Sequence, residues 1–211
     1  MESQPKVTLI IPVKDRKDYL YHTLRTCIAQ DYENFEVIVA DDASTDGTKE
    51  MIQKMVLLDP RIKFIDRPER IGMRDNFEDA LSRITEGYVL ALGGDDGILP
   101  RGISRMVQKL QESGTKLLTW APPEYAYPMD YWPNGHFSIN YHSGSYWVDS
   151  HEYLKRQTAM LAYINDKECP MFYIKGAAHI SLIDTVKSRT VDGRFYSCPT
   201  PDGFSGIVLA G

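Results

Sequence analysis

The sequence predicts an α/β domain with a mostly parallel sheet flanked by helices. Short apolar runs alternate with helix-period segments through the first 120 residues, the links between them are short, and several runs end in carboxylates. Such alternation implies right-handed crossovers between parallel strands. Val7 to Ile11 is the first strand, ended by Pro12, and a helix begins near Asp18 with Leu20, Leu24, Cys27 and Ile28 on one face. Phe35 to Ala40 is the second strand and runs into Asp41-Asp42. Ser44, Thr45 and Asp46 supply caps for a helix whose apolar face is Met51, Ile52, Met55 and Val56. Ile62 to Ile65 is a short third strand. Phe77, Ala80, Leu81 and Ile84 mark a helix reaching Gly87, before the fourth strand at Tyr88 to Leu92. After Pro100 comes a helix with Ile103, Met106, Val107 and Leu110, then a strand from Lys116 to Trp120.

The rhythm breaks after Trp120. Residues 121–149 are rich in Pro, Tyr, Trp, Asn and Gly without a clean period, which marks a long loop of the functional or flexible kind. Asp149-Ser-His-Glu152 has the capping-box pattern and precedes Leu154, Met160, Leu161 and Ile164. Met171 to Ile174 reads as a strand, Leu182 to Ser188 as a helix and Gly193 to Tyr196 as an extended piece. Ile207 to Gly211 reads as the start of another helix, so a further C-terminal portion is expected. The division that follows is 1–120 for one subdomain and 121–211 for a less regular second one.

Composition narrows the function. The 211 residues carry a net charge of −5, which argues against nucleic acid or an anionic membrane surface as the main partner. Cys27, Cys169 and Cys198 have no metal-ligand spacing, and their odd number argues against a disulfide framework. The N-terminus lacks the order of a signal peptide, and no run approaches a membrane span. A reducing cytoplasm is the simplest setting.

In an open parallel sheet, ligands bind beyond the carboxyl ends of the strands. Three polar clusters fall there: Pro12 to Arg16, Asp41-Asp42 and Asp95-Asp96. The doublet Asp95-Asp96 sits between glycines, and two adjacent anions are costly to keep together without a cation. Oxygen-rich sites of this kind suit Mg²⁺ or Mn²⁺ holding phosphate oxygens, although a polar turn leading to a helix explains the same residues. No glycine-rich phosphate loop is present, so a phosphate here needs a metal or a cation such as Arg70 or Arg74.

Three motifs in order carry a resemblance: Lys6 to Arg16, Val39 to Thr48, and Gly87 to Pro100 with its Gly-Gly-Asp-Asp core. The chain resembles a family 2 glycosyltransferase with the GT-A fold, strongly over about residues 5–118 and more loosely beyond. The resemblance implies transfer of a sugar from a nucleotide-diphosphate sugar, UDP first, to a saccharide or glycolipid acceptor, with inversion and with Mn²⁺ or Mg²⁺. It implies surface-polysaccharide or glycoconjugate synthesis in the cytoplasm or at the inner membrane face. By the same resemblance Asp41 accepts from the pyrimidine N3–H, Pro12 and Val13 line the base pocket, Asp15 supports the loop, and Arg74 approaches base or phosphate. Asp95 is the nucleotide-side metal ligand and Asp96 the second. Many members have Asp-x-Asp-Asp where this chain has Gly93-Gly94-Asp95-Asp96, so one carboxylate is absent or its role has passed to another group.

Displacement at an anomeric carbon needs a carboxylate to take the acceptor proton. Asp202, in Cys198-Pro-Thr-Pro-Asp-Gly-Phe-Ser205, resembles the family's base segment and stands just before a helix start, where a helix cap is the alternative role. Asp184 and Asp192 are weaker rivals. Tyr125, Tyr127, Tyr131, Trp132, Phe137, Tyr141, Tyr146 and Trp147 stack against acceptor sugars or pack under the loop. His136, His142 and His151 lack a metal-ligand spacing. Two other readings compete with the transferase: a catalytically silent nucleotide or sugar binder, and a receiver-like phospho-acceptor domain with Asp95 as acceptor.

Overall fold

The computed structural model describes residues 4–139, 144–159, 168–198 and 201–211, with the backbone alone at residues 157 and 201–203. Tyr141, His142, Met160, Leu161 and Ile164, named above, lie outside the described residues.

Eight strands and seven helices follow in the order β1 (Val7–Val13), α1 (Lys17–Ile28), β2 (Phe35–Asp41), α2 (Thr48–Leu58), β3 (Ile62–Asp66), α3 (Met73–Ser82), β4 (Tyr88–Ala91), α4 (Gly102–Ser113), β5 (Leu117–Thr119), β6 (Glu124–Ala126), β7 (His136–Ser138), α5 (Ser150–Thr158), β8 (Gly176–His179), α6 (Ile180–Arg189) and α7 (Pro201–Ala210) among the described residues. The main sheet has the order β3-β2-β1-β4-β8-β5. β1, β2, β3 and β4 are mutually parallel, and β8 runs antiparallel between β4 and β5.

Side-chain alternation sorts the helices onto two faces. Leu9, Ile11, Val37 and Val39 face a core completed by Leu20 and Leu24 of α1, Ile52 of α2 and Ile103 of α4. Ile10, Ile38 and Ala40 face the other core, with Phe77 and Leu81 of α3, Ile183 of α6 and Leu209 of α7. Both faces of the parallel strands are therefore apolar, which is why these strands read as continuous hydrophobic runs.

The structure differs from the sequence reading at several places. β1 continues through Pro12, which pairs with Ala40, to Val13. Val7 and Val13 bond toward β2, whereas Ile10 bonds toward β4, where Leu92 donates to it. Pro12 shares the parity of Ile10, so its missing N–H faces the flank where the β4 ladder has already ended at Ala91. α3 stops at Ser82 rather than reaching Gly87. Residues 193–196 join no ladder. Met171 to Ile174 is not a strand: it makes one parallel bridge, Tyr173 with Ala91, and Ile174 then takes a left-handed φ of 53°. The ladder is carried instead by Gly176-Ala-Ala-His179, whose small residues have low strand propensity but fit between two helix-covered faces. The long aperiodic stretch contains the β6–β7 hairpin. No helix among the described residues is long and apolar enough to cross a membrane.

Candidate donor site at the strand ends

The carboxyl ends of β1, β2 and β4 lie side by side, and the order of connections reverses between β1 and β4. This is the position at which open α/β sheets bind ligands. Three loops built from the sequence clusters meet there.

The loop after β1 is locked to the loop after β2. Asp15 has a φ of 50° and its amide donates to the Ser44 hydroxyl at 2.8 Å. Its carboxylate accepts the Thr45 amide at 2.8 Å and pairs with Lys14 Nζ at 2.9 Å. The Thr45 amide, and then Lys14, hold the Asp15 carboxyl below the usual carboxylate range. Asp46 accepts the amides of Lys17 at 3.1 Å and Thr48 at 3.0 Å, so it serves the starts of both α1 and α2. The N-cap of α2 is Gly47 rather than one of the three residues expected there; Asp46 reaches the helix from one position ahead, and Ser44 and Thr45 fasten the two loops together instead.

Asp41 is 1% exposed. Its Oδ2 accepts the Ser44 amide at 3.0 Å and its Oδ1 accepts the Ser44 hydroxyl. An ionised carboxylate has about four acceptor positions, so the structure leaves this one acceptor capacity beyond Ser44. Asp42 turns the other way: its two oxygens accept the amides of Ile71 at 2.7 Å and Gly72 at 3.0 Å, which fixes the chain ahead of α3. Arg74 follows on α3, with its guanidinium on Asp75 at 2.9 Å, and Arg194 shares that carboxylate at 2.8 Å. Pro12 and Val13 stand beside Ala40 and Asp41 at the ends of the two strands.

The doublet loop is held from α1. The Thr23 hydroxyl lies 2.6 Å from the Asp96 carbonyl and 3.1 Å from the Gly94 carbonyl. Thr26 Oγ1 accepts the Ile98 amide at 3.1 Å, and Gln30 bonds both Leu99 and Ile103 where α4 begins. Gly94 presses close to Val13, so the β4 loop lies against the β1 end. Asp95 is half exposed, with Arg16 Nε 3.8 Å from its Oδ2. Asp96 is more enclosed, and its Oδ2 accepts the Gly93 amide at 2.9 Å. Burial pushes the Asp96 carboxyl above the ordinary range, and the charge of Asp95 adds to this; the Gly93 amide and the Tyr173 hydroxyl pull the other way.

Two half-shielded carboxylates that repel each other are a fit for a cation shared with phosphate oxygens. Mg²⁺ is commonly bound through one or two carboxylates plus substrate phosphates rather than by an all-protein cage. No group of three or more His, Cys, Asp or Glu side chains that could hold a metal ion is found among the described residues.

Asp202 lies in the first turn of α7, which begins at Pro201, so the helix starts ahead of it rather than after it. Its side chain is outside the described part. Ser205, one turn on, accepts the Phe172 amide at 3.1 Å, and the next residue, Tyr173, bonds Asp96. Tyr127 of the loop after β6 packs edge-on against Tyr19 of α1 at 6.0 Å and against Tyr125 at 5.3 Å. Burial, and then the charges of Tyr19 and Asp95, raise its phenol pKa.

Sequence reasoning missed Thr23, Gln30, Tyr173 and the contact of Tyr127 with Tyr19. Thr23 is a buried polar residue on α1 and Gln30 stands just past the end of that helix, signals that were available; Tyr173 had none, because its contact depends on the turn at Ile174. Arg16 was within the first cluster but had no role assigned. A separate cavity of about 500 Å³ opens along the outer side of β5, with Leu117, Tyr146, Trp147, Tyr153 and Leu209 among its walls. It contains none of the strand-end carboxylates.

The family model described as glycosyl transferase family 2 matches residues 8–172. A GalNAc(5)-diNAcBac-PP-undecaprenol beta-1,3-glucosyltransferase of Campylobacter jejuni is 32% identical over 109 residues, 51% of this chain and 35% of its own. The Escherichia coli protein WfaP, named a UDP-Glc:alpha-D-GlcNAc-diphosphoundecaprenol beta-1,3-glucosyltransferase, is 30% identical over 64% of this chain and 53% of its own. The chain thus spans about a third to a half of the length of these relatives. Among solved structures, Staphylococcus aureus TarS in complex with UDP-GlcNAc superposes with a TM-score of 0.51 at 25% identity, over 54% of this chain and 33% of that one. The Pyrobaculum calidifontis mannosyltransferase PcManGT, in complex with GDP-Man and Mn²⁺, gives 0.59 over 88% of this chain and 47% of its own; at 20% identity it supports the GT-A fold alone.

Proposed function

The chain belongs to glycosyl transferase family 2, and on that premise we propose that it transfers a sugar from a nucleotide-diphosphate sugar, UDP first, to a saccharide or glycolipid hydroxyl with inversion. The observation that carries this is the convergence of Asp41 and the Asp95-Asp96 doublet at the β1/β4 reversal point, in loops locked to each other and to α1. In this reading the uracil lies over Pro12 and Val13, and its N3–H bonds to the acceptor capacity that Ser44 leaves on Asp41. Asp15 keeps the β1 loop in place for it, through Thr45. Arg74, half-buried at the start of α3, exchanges Asp75 for base or phosphate.

Asp95 and Asp96 would hold Mn²⁺ or Mg²⁺, which when bound supplies Lewis-acid stabilisation of the departing diphosphate. The acceptor oxygen bonds to the anomeric carbon as the bond to the diphosphate oxygen breaks, and the diphosphate leaves with the electron pair. The acceptor proton passes to the Asp202 carboxylate. Support for Asp202 is its position one turn ahead of Ser205, which ties α7 to the segment bearing Tyr173. Tyr125, Tyr127 and Tyr131 are the stacking surface for acceptor sugar rings. Relatives whose names include undecaprenol-linked acceptors support a glycolipid acceptor and a reaction in the cytoplasm or at the inner face of the membrane.

The family match spans both parts of the chain, which a receiver-like phospho-acceptor domain leaves without explanation. A thermal-shift panel of UDP, dTDP and GDP, each with and without Mn²⁺, tests the donor site. UDP should raise the unfolding midpoint and Mn²⁺ should enlarge the shift. If saturating nucleotide leaves the midpoint unmoved, the donor site is wrongly assigned. UDP binding without transfer or hydrolysis, in the full-length protein, would support the silent binder.

A further inference from the structure

The space a side chain would take at position 93 is occupied by side-chain tips, one of them from the other part of the chain. A Cβ on Gly93 would collide with the Tyr173 hydroxyl and with Asp96 Oδ2, and would come within 3.1 Å of Asp95 Oδ1. The Tyr173 hydroxyl hydrogen-bonds the Asp96 carboxylate, whose Oδ2 also accepts the Gly93 amide at 2.9 Å. Tyr173 is delivered by its backbone: Ala91 donates to Phe172 at 3.3 Å and accepts from Ile174 at 2.8 Å, which docks this segment on the end of β4. Its ring packs edge-on against Phe77 at 6.2 Å, and Ser205 of α7 accepts the Phe172 amide.

We propose that Tyr173 is the positioning residue of the acidic doublet: its hydroxyl, standing where a residue-93 side chain would stand, fixes the Asp96 carboxylate so that it and Asp95 face one divalent cation. The inference rests on the donor-site reading above. Two adjacent carboxylates repel, and left free they rotate apart. A phenol on one side and the Gly93 amide on the other restrain Asp96 against that rotation. Hydrogen-bond partners of metal-ligating carboxylates commonly change metal affinity by roughly 10- to 100-fold. The same arrangement gives the absent third carboxylate a physical reason, because a side chain at position 93 would have to displace the Tyr173 hydroxyl and the Asp96 carboxylate.

The test is Mn²⁺ binding in the presence of saturating UDP, read from the electron paramagnetic resonance signal of free Mn²⁺. Wild type, Tyr173→Phe, Gly93→Ala and the double variant are compared, with the unfolding midpoint of each nucleotide-free protein as a control. Tyr173→Phe keeps the ring on Phe77 and should weaken Mn²⁺ binding roughly tenfold or more with an unchanged midpoint. Gly93→Ala displaces the hydroxyl and the carboxylate and should also weaken it. Adding Tyr173→Phe to Gly93→Ala should then cost much less than it does in wild type, since the contact is already broken. Wild-type Mn²⁺ affinity in Tyr173→Phe, or losses that simply add in the double variant, overturns the proposal. If Tyr173→Phe shifts the midpoint, Gly93→Ala gives the same readout, and wild-type affinity there overturns the proposal equally. Failure of wild type to bind Mn²⁺ with UDP overturns the donor-site reading, and this inference with it; binding that both variants leave untouched overturns the inference alone.

Discussion

The β1–β2–β4 region and the region after β5 contribute to one sheet but are held by different means. Val7 to Val13 is paired along its length with β2, and its first four residues also with β4, and almost every side chain is shielded on both faces. The loops beyond these strands are fastened by carboxylate–amide bonds that Asp15, Asp42 and Asp46 make to backbone. The later region contributes a single bridge at Tyr173 and the four-residue β8, while the three-residue strands β6 and β7 pair in a sheet of their own. The loop between β5 and α5 carries aromatic side chains on the outside, with Tyr131 90% exposed and Trp147 72%, whereas Phe172, Phe195 and Tyr196 farther along are buried. On the proposed function the fastened strand-end loops would hold the nucleotide and the exposed aromatic loop would meet the acceptor, and the contrast gives experiments that can break it.

The largest effect should come from the later region, on chemistry alone. Asp202→Asn should lower transfer by about 10²- to 10⁴-fold while UDP affinity stays within about twofold of wild type; parallel loss of UDP binding would make Asp202 a structural residue. On stability the order reverses. Leu9→Ala, at a site with no exposure, should cost about 2–5 kcal/mol in urea unfolding. Asp42→Ala should cost about 1–3 kcal/mol, because the amides of Ile71 and Gly72 lose their acceptor; a cost below about 0.5 kcal/mol would mean that water replaces Asp42 freely. Tyr131→Ala should stay within about 0.5 kcal/mol yet raise the acceptor KM, and an unchanged KM would remove the hairpin from acceptor recognition.

The smallest expected effect is a pH dependence in the scaffold. The Arg61 guanidinium holds the Asp59 carboxyl below the usual carboxylate range, at 2.6 Å. A depressed folded pKa contributes stability that is present above the unfolded value and lost as pH falls through the folded one. Asp59→Asn should therefore flatten the acid limb of the stability–pH curve and leave the region above pH ~6 parallel to wild type. An acid limb as steep as wild type would mean that the pair contributes nothing.

The same contrast explains what was legible in the sequence. The ladder strands announce themselves because burial on both faces demands unbroken runs such as Leu-Ile-Ile and Val-Ile-Val-Ala, and strand-end carboxylates follow the runs directly. β8 was missed because Gly176-Ala-Ala has the propensity of neither element, and only the narrow space between β4 and β5 makes a strand of it. Tyr173 was missed for a related reason: its partner lies 77 positions earlier, and the turn that aims it is a left-handed Ile174, which no local pattern predicts. Pro12 misled by a general rule about strand ends, although its missing donor faces a flank already free of ladder.

A structure of the protein crystallised with UDP and Mn²⁺ tests the central claim most directly. The account predicts the uracil against Pro12, Val13 and Asp41, and Mn²⁺ between the diphosphate and the carboxylates of Asp95 and Asp96. Nucleotide bound elsewhere, for example in the cavity beside β5 lined by Tyr146 and Trp147, with the doublet carboxylates still held by Gly93, Tyr173 and Arg16, would contradict it.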